Sequence, residues 1–185
     1  ETVSRLLKGR TGKLLDIGCA DGVFTNVISK TVNPKTRINA VDIYPVSIDF
    51  ARRMYPHIQF QAAQAEKLPF KDHTFDLITC LEMLEHVENP KRVLTEMTRV
   101  LKKNGSIIIL LPQEILLFRI LWFVWTKFKG KVWNHAHLHN FYFDSMSNYF
   151  EKAGFTIKYR NTFLFNMLMI FEIQPKALYL SETNR

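Results

Sequence analysis

The chain has 185 residues, enough for one domain with a sizeable core, and 47% of them are hydrophobic. Two cysteines cannot supply a disulfide framework, which excludes the small disulfide-stabilised class and favours a reducing, cytoplasmic compartment. A formal net charge of +8 leaves anionic partners open, either a membrane surface or a nucleic acid, beside the simpler interpretation of a solvated basic surface.

Apolar runs and helical segments alternate along the first two thirds of the chain. The pattern predicts strands over residues 13–17, 37–42, 58–62, 75–80 and 106–111. It predicts helices over 2–8, 23–30, 46–54 and 91–101, and a short turn or helix over 81–88. A helix over 143–153 and strands over 155–159 and 168–173 follow. Such alternation predicts an α/β fold in which a mostly parallel sheet carries helices on both faces.

A loop of small residues follows the first predicted strand, with Gly18, Ala20 and Gly22 at alternate positions. A strand, a tight small-residue loop and a helix bring backbone close to a nucleotide in α/β sheets. The spacing differs from the dinucleotide fingerprint, and Asp16 would repel phosphates, so the loop favours a ligand with an amino group. Asp42 ends the second strand, where an acid can accept both hydroxyls of a ribose.

These positions together resemble the class I S-adenosylmethionine-dependent methyltransferases, in particular the type 11 and ubiquinone-biosynthesis methyltransferases. The resemblance rests on Asp16-x-Gly18-x-Ala20-x-Gly22, on Asp42, and on the runs Ala-Glu-Lys-Leu-Pro-Phe at 65–70 and Phe-Asp-Leu-Ile at 75–78. It runs in order from about residue 14 to residue 112. It implies a Rossmann-like, doubly wound, mostly parallel seven-stranded sheet with an antiparallel last strand, in one domain over 1–185.

The resemblance implies S-adenosylmethionine as the cofactor and implies the residues that bind it. These are Asp16, Gly18, Cys19, Ala20, Gly22, Asp42, Ile43, Gln64, Ala65, Glu66, Cys80 and Leu81. The family often has Asp where this chain has Gln64, whose carbonyl can still accept from the adenine amine. For Ala65, Cys80 and Leu81, ordinary core packing is the alternative interpretation.

The run Glu82-Met83-Leu84-Glu85-His86 carries the catalytic candidates Glu85 and His86, and His139 follows later in the chain. On a helical turn, Glu82, Glu85 and His86 would share one face. The run is similar to that of the ubiquinone-biosynthesis O-methyltransferases and to the metal ligands of enzymes that 2′-O-methylate small RNAs. A divalent ion is therefore open but not favoured, and a later histidine, His135, His137 or His139, would be its further ligand. A general base without metal, or a structural role, is the alternative.

Residues 115–125 are apolar and aromatic apart from Arg119, and Lys127, Lys129 and Lys131 follow within the segment 115–133. The apolar part is too short for a transmembrane helix, which needs about 20 such residues. By resemblance, 113–140 forms a lid or part of the substrate pocket. The lysines favour peripheral membrane contact through 115–133. A buried helix or a dimer contact is the alternative.

The sequence thus predicts an S-adenosylmethionine-dependent methyltransferase that acts on a small or lipid-like acceptor similar to a quinone precursor. We expect it in the cytoplasm, with peripheral membrane association open. Metal-assisted RNA 2′-O-methylation is a second interpretation, less favoured because no appended RNA-binding domain is apparent. A non-catalytic module that binds S-adenosylmethionine and acts through a partner is the third.

Overall fold

Seven strands form one sheet in the computed structural model, which describes residues 2–113 and 138–176. The strands are β1 (Lys13–Ile17), β2 (Arg37–Asp42), β3 (Gln59–Ala62), β4 (Phe75–Leu81), β5 (Leu101–Pro112), β6 (Phe155–Phe163) and β7 (Leu168–Pro175). The helices of these residues are α1 (Thr2–Leu7), α2 (Val23–Thr31), α3 (Pro45–Met54), α4 (Pro90–Val100) and α5 (Phe143–Lys152).

The strand order is β3-β2-β1-β4-β5-β7-β6, and the first five strands pair in parallel. Strand β7 runs antiparallel to both β5 and β6. The predicted doubly wound α/β fold with an antiparallel last strand is therefore confirmed. The order reverses between β1 and β4, so the crevice that binds ligands in such sheets lies beyond the carboxyl ends of these two strands.

The core has two layers, one on each face of the sheet. On one face, Leu14 of β1 packs in a cluster with residues of α1, α2 and α3, such as Leu7, Ile28 and Ile48. On the other face, Leu15 packs with residues of α4 and α5. Because successive strand residues point to opposite faces, both faces of β1 are apolar, and the strand reads as a continuous apolar run.

Helix boundaries follow from local chemistry. Helix α3 begins with Pro45 at its first position, where a missing N–H costs nothing. Helix α4 begins with Pro90 after Asn89, whose side chain accepts a hydrogen bond from the Arg92 backbone N–H at 3.0 Å. These starts agree with the predicted helices within one residue.

The start of β5 differs from the prediction. The sequence predicted a stop at Asn104-Gly105 and a strand over 106–111, whereas α4 ends at Val100 and β5 begins at Leu101. Leu101 pairs with Phe75 and Ser106 pairs with Leu77, so the first part of β5 bulges out of register. Gly105 permits the bulge, since a Cβ there would lie 2.9 Å from the Asp76 carbonyl oxygen.

Two predicted features fall largely outside the described residues. These are the lid over 113–140, of which 113 and 138–140 are described, and the membrane-contacting segment 115–133. Among the residues that the structure describes, no helix is long and apolar enough to cross a membrane.

Candidate functional site

The loop between β1 and α2 is shaped by close packing at two glycines. Both Gly18 and Gly22 have left-handed backbone, with φ of 81° and 82°. A Cβ on Gly18 would lie 2.5 Å from the Met83 Cγ, and one on Gly22 would lie 2.8 Å from the Phe60 Cζ. Both glycines therefore leave room for neighbouring side chains, and Gly18 also lines the cleft described below.

Asp42 holds this loop from the end of β2. Its Oδ2 accepts a hydrogen bond from the Ala20 backbone N–H at 2.9 Å, and its Oδ1 accepts one from the Tyr44 N–H at 3.0 Å. Ala20 has a φ of 46°, which is unfavourable for a residue with a Cβ, so the Asp42 bond helps to keep it there. A carboxylate has about four acceptor positions, so two remain for a ligand.

Asp16 lies beneath the loop and is only 4% exposed. Its carboxylate accepts hydrogen bonds from the Thr25 hydroxyl of α2 and the Thr79 hydroxyl of β4, both at 2.6 Å. Burial raises the pKa of the Asp16 carboxyl, while the two threonine hydrogen bonds act in the opposite direction. Asp16 therefore fixes the start of α2 against the sheet.

A cleft of about 500 Å³ opens beside this loop. Its lining includes five of the predicted cofactor-binding residues: Asp16, Gly18, Cys19, Ala20 and Leu81. It also includes Asp21, Val23, Phe24 and Ser47, which were not among those predicted. Val23 and Phe24 could have been inferred, because they begin the helix that follows the loop. No signal in the sequence marks Ser47, which reaches the cleft from α3.

The cleft is electrically negative. Burial raises the pKa of the Cys19 thiol, and the nearby charges of Asp16, Asp42 and Asp21 raise it further. The same carboxylates that disfavour a thiolate favour a cation in the cleft. A ligand that carries an ammonium and a sulfonium group, together with a ribose, matches this set of acceptors.

The other predicted cofactor-binding residues lie around the cleft or away from it. Ile43 is 55% exposed directly after β2. Gln64, Ala65 and Glu66 lie in the loop after β3. This loop starts beside Asp42, because the Ala63 N–H donates a hydrogen bond to the Asp42 backbone carbonyl at 2.9 Å.

The structure does not bring the side chain of Cys80 to the cleft, although both cysteines were predicted to face the cofactor. Cys80 is fully buried in the layer that packs on α4 and α5. Its neighbour Thr79 points to Asp16. Since successive strand residues point to opposite faces, Cys80 must point away.

The catalytic candidates Glu85, His86 and His139 lie close together. The Glu85 carbonyl accepts hydrogen bonds from the Leu138 N–H at 2.8 Å and the His139 N–H at 3.3 Å. The His86 Nε2 lies 3.9 Å from the Glu85 Oε1. The His139 Nε2 lies 2.9 Å from the Val87 carbonyl, which can only accept, so this nitrogen donates. Met83 packs against Gly18 and connects this group to the loop.

Glu85 is the most unusual of these residues. It is 1% exposed, and its Oε2 has no hydrogen-bond partner. Burial, with a smaller contribution from the Glu82 charge, raises its pKa from 4.5 to about 8. Glu85 is therefore a neutral acid at pH 7, able to donate a hydrogen bond to a group that reaches it.

The predicted arrangement of Glu82, Glu85 and His86 on one helical face is not realised. Only a short 3-10 turn, Leu84–His86, forms here, and Glu82 precedes it with a φ of 51°. Within residues 2–113 and 138–176, no group of three acidic, histidine or cysteine side chains could hold a metal ion. His135 and His137, which the sequence offered as further ligands, lie outside the described residues.

Comparisons with known proteins show the family of this chain. Residues 15–109 match the family described as a methyltransferase domain. An uncharacterized protein of Methanocaldococcus jannaschii is 32% identical over 183 residues, covering 96% of this chain and 71% of that protein. The mitochondrial ubiquinone biosynthesis O-methyltransferase of Schizosaccharomyces pombe is 31% identical, over 59% of this chain and 41% of that protein. The chain thus spans less than half of this second relative.

Solved structures support the fold. The SAM-dependent methyltransferase of Aquifex aeolicus superposes with a TM-score of 0.71 at 17% identity, covering 93% of this chain and 87% of that one. At this identity the likeness concerns the fold alone. The family match covers more than half of the chain, and the relative from Methanocaldococcus jannaschii spans nearly all of it. The chain therefore belongs to the class I S-adenosylmethionine-dependent methyltransferases.

Proposed function

We propose that this methyltransferase transfers the methyl group of S-adenosylmethionine to a small or lipid-like acceptor with an apolar body. The observation that carries the acceptor class is an apolar rim at the cleft, formed by Val23 and Phe24. Val23 is 44% exposed and Phe24 is 73% exposed, and both line the cleft. Two further exposed apolar residues, Tyr44 and Val46, precede the cleft-lining Ser47 in the chain and are 68% and 83% exposed.

Exposed apolar side chains grouped at a cleft mark an interaction site, because their contact with water is unfavourable until a ligand or partner covers them. An aromatic or isoprenoid acceptor would cover them when it enters. The ubiquinone biosynthesis relatives carry a name that fits such an acceptor. The rim thus supports an apolar acceptor more than a polyanionic one.

We assign the cofactor to the cleft beside the 18–22 loop. Asp42 binds the backbone of the cleft-lining Ala20, and its free acceptor positions suit the ribose hydroxyls. The carboxylates of Asp16 and Asp21, which line the cleft, suit the cationic methionine end of S-adenosylmethionine. Bound there, S-adenosylmethionine supplies a methyl group already activated on sulfur. The residues of the chain then have to align the acceptor, exclude water and accept its proton.

For proton removal we propose His86, with Glu85 and His139 as its neighbours. His86 has a 40% exposed side chain within 3.9 Å of the buried Glu85, so it can face an acceptor and still be oriented from behind. A neutral Glu85 can donate a hydrogen bond to the acceptor oxygen or to the imidazole. The proton leaves the acceptor hydroxyl as the methyl–oxygen bond forms and the methyl–sulfur bond breaks.

The test compares two catechol acceptors, one with an isoprenoid tail and one without, and detects methylated product by mass spectrometry. Phe24→Ser should raise the KM for the tailed acceptor about tenfold, since burying an aromatic side chain contributes roughly 1.5–3 kcal/mol. The KM for the tail-free acceptor should change little. Phe50→Ser, at an exposed phenylalanine of α3 outside the cleft lining, is the matched control.

If Phe24→Ser and Phe50→Ser have equal effects, or if Phe24→Ser affects both acceptors equally, the rim does not bind the isoprenoid tail of the acceptor. Methylation of a small RNA but of neither catechol would favour the RNA interpretation. Binding of S-adenosylhomocysteine without methylation of any acceptor offered would favour the non-catalytic module.

A further inference from the structure

Helix α4 holds the 63–74 loop, which connects β3 to β4, through a partly buried ion pair, in which Glu96 is buried and the Arg99 side chain is 32% exposed. Glu96 is 7% exposed and lies one turn before Arg99 on the same face. The Arg99 Nε donates to the Glu96 Oε1, and the Arg99 Nη2 donates to the Glu96 Oε2, both at 2.8 Å. This is a bidentate pair, the stronger and more directional form of an ion pair.

Both members of the pair also bind the loop directly. The Leu68 N–H donates to the Glu96 Oε2 at 2.8 Å. Arg99 donates to the Leu68 carbonyl at 3.0 Å, to the Phe70 carbonyl at 2.8 Å and to the Asp72 carboxylate at 2.7 Å. A guanidinium has five N–H donors, and these contacts use all five.

Further contacts hold the loop on both sides of the stretch 68–72 that this ion pair binds. Before it, Arg92 of α4 donates to the Glu66 carbonyl at 3.2 Å. After it, the His73 N–H donates to the Arg99 carbonyl at 2.9 Å. Leu68 is buried, and Phe70 packs edge-on against Phe75 with ring centroids 4.9 Å apart. The segment from 66 to 73 is therefore ordered by α4 before any ligand binds.

We infer that Glu96 and Arg99 are positioning residues for the adenine end of the cofactor, acting through the 63–74 loop without touching the ligand. Gln64 and Ala65 lie immediately before the held segment, and the Lys67 N–H closes a turn onto the Gln64 carbonyl at 3.1 Å. A loop ordered in advance loses less conformational entropy on binding, and this difference appears as affinity. The inference rests on the proposed placement of the cofactor, with its ribose at Asp42 and its adenine against the loop that starts beside Asp42 at Ala63.

The test uses Arg99→Lys, which keeps the charge but replaces the planar five-donor group by an ammonium. The ligands are S-adenosylhomocysteine and S-ribosylhomocysteine, which lacks the adenine, with affinities measured by calorimetry or by competition. The variant should bind S-adenosylhomocysteine about tenfold more weakly and S-ribosylhomocysteine unchanged. A residue that only stabilises the fold would leave both affinities unchanged in the folded protein.

Arg10→Lys is the matched control. Arg10 also pairs with a largely buried acid, Glu172 of β7, but it lies just before β1 at the opposite end of the strands from the cleft. This variant should change neither affinity.

Two gentler variants cover the case in which Arg99→Lys does not fold. Glu96→Gln keeps an acceptor for the Leu68 N–H, and Arg92→Gln changes an exposed side chain that binds the Glu66 carbonyl. Both variants should weaken the binding of S-adenosylhomocysteine and leave the binding of S-ribosylhomocysteine unchanged. Hydrogen exchange at the Leu68 amide should be faster in Glu96→Gln.

If folded variants bind both ligands as the wild type does, or lose both equally, the positioning role is wrong while the cofactor site stands. If the wild type itself does not bind S-adenosylhomocysteine, the proposed placement of the cofactor fails, and the positioning role fails with it.

Discussion

Replacing Glu85 by Gln should change how the stability of the protein depends on pH. The Glu85 carboxyl is buried, its Oε2 has no partner, and its pKa rises from 4.5 to about 8. Below pH 4.5 both the folded and the unfolded chain hold this proton. Between pH 4.5 and 8 the unfolded chain releases it while the folded chain keeps it, so the free energy of unfolding falls as pH rises.

One pKa unit corresponds to about 1.4 kcal/mol, so ionising Glu85 in the folded protein costs on the order of 5 kcal/mol above pH 8. Gln has the same shape and does not titrate. Glu85→Gln should therefore gain up to about 5 kcal/mol relative to the wild type when the pH is raised from 4 to 9.

Urea unfolding followed by circular dichroism at several pH values measures this difference. Glu88→Gln, at an exposed position of the same segment, is the matched control. A difference between wild type and Glu85→Gln that stays constant from pH 4 to pH 9 would show that the buried carboxyl does not titrate as argued.

Three further substitutions test the loop that forms the cleft, each by chemical denaturation. Thr79→Val removes a hydroxyl that donates to the buried Asp16 at 2.6 Å, and it should cost about 1.5–3 kcal/mol; a loss below about 0.5 kcal/mol would contradict this role. Gly22→Ala puts a Cβ 2.8 Å from Phe60 at a φ of 82°, and should cost at least about 2 kcal/mol. Ala20→Gly relieves a φ of 46° and should leave stability unchanged or raise it by about 1 kcal/mol, whereas the usual loss for this substitution would refute the strain.

The sequence predicted most of the fold because its signals are local. Lys13–Ile17 and Arg37–Asp42 are apolar runs that end in a glycine loop or at an acid, and both have the predicted bounds. The start of β5 was missed because Asn104-Gly105 is a turn signal in isolation. Pairing with β4 overrides it and converts the turn into a bulge.

The candidate site was predicted only in part, since some of its properties depend on tertiary packing. Asp42 is at the expected place, but its bond to the Ala20 N–H depends on how two loops meet. The opposite directions of Thr79 and Cys80 follow from strand alternation and could have been predicted. The burial of Glu85 could not, because the sequence pattern suggested a helical face that the left-handed Glu82 prevents.

The central claim is that the cleft beside the 18–22 loop binds S-adenosylmethionine with Asp42 at the ribose. Isothermal titration with S-adenosylhomocysteine tests it most directly, on the wild type, on Asp42→Ala and on Asp49→Ala, whose side chain is 64% exposed on α3. Hydrogen bonds to a charged acceptor contribute roughly 1.5–3 kcal/mol each, so Asp42→Ala should bind at least tenfold more weakly while Asp49→Ala binds as the wild type does. No binding to the wild type, or equal binding to all three proteins, would contradict the assignment.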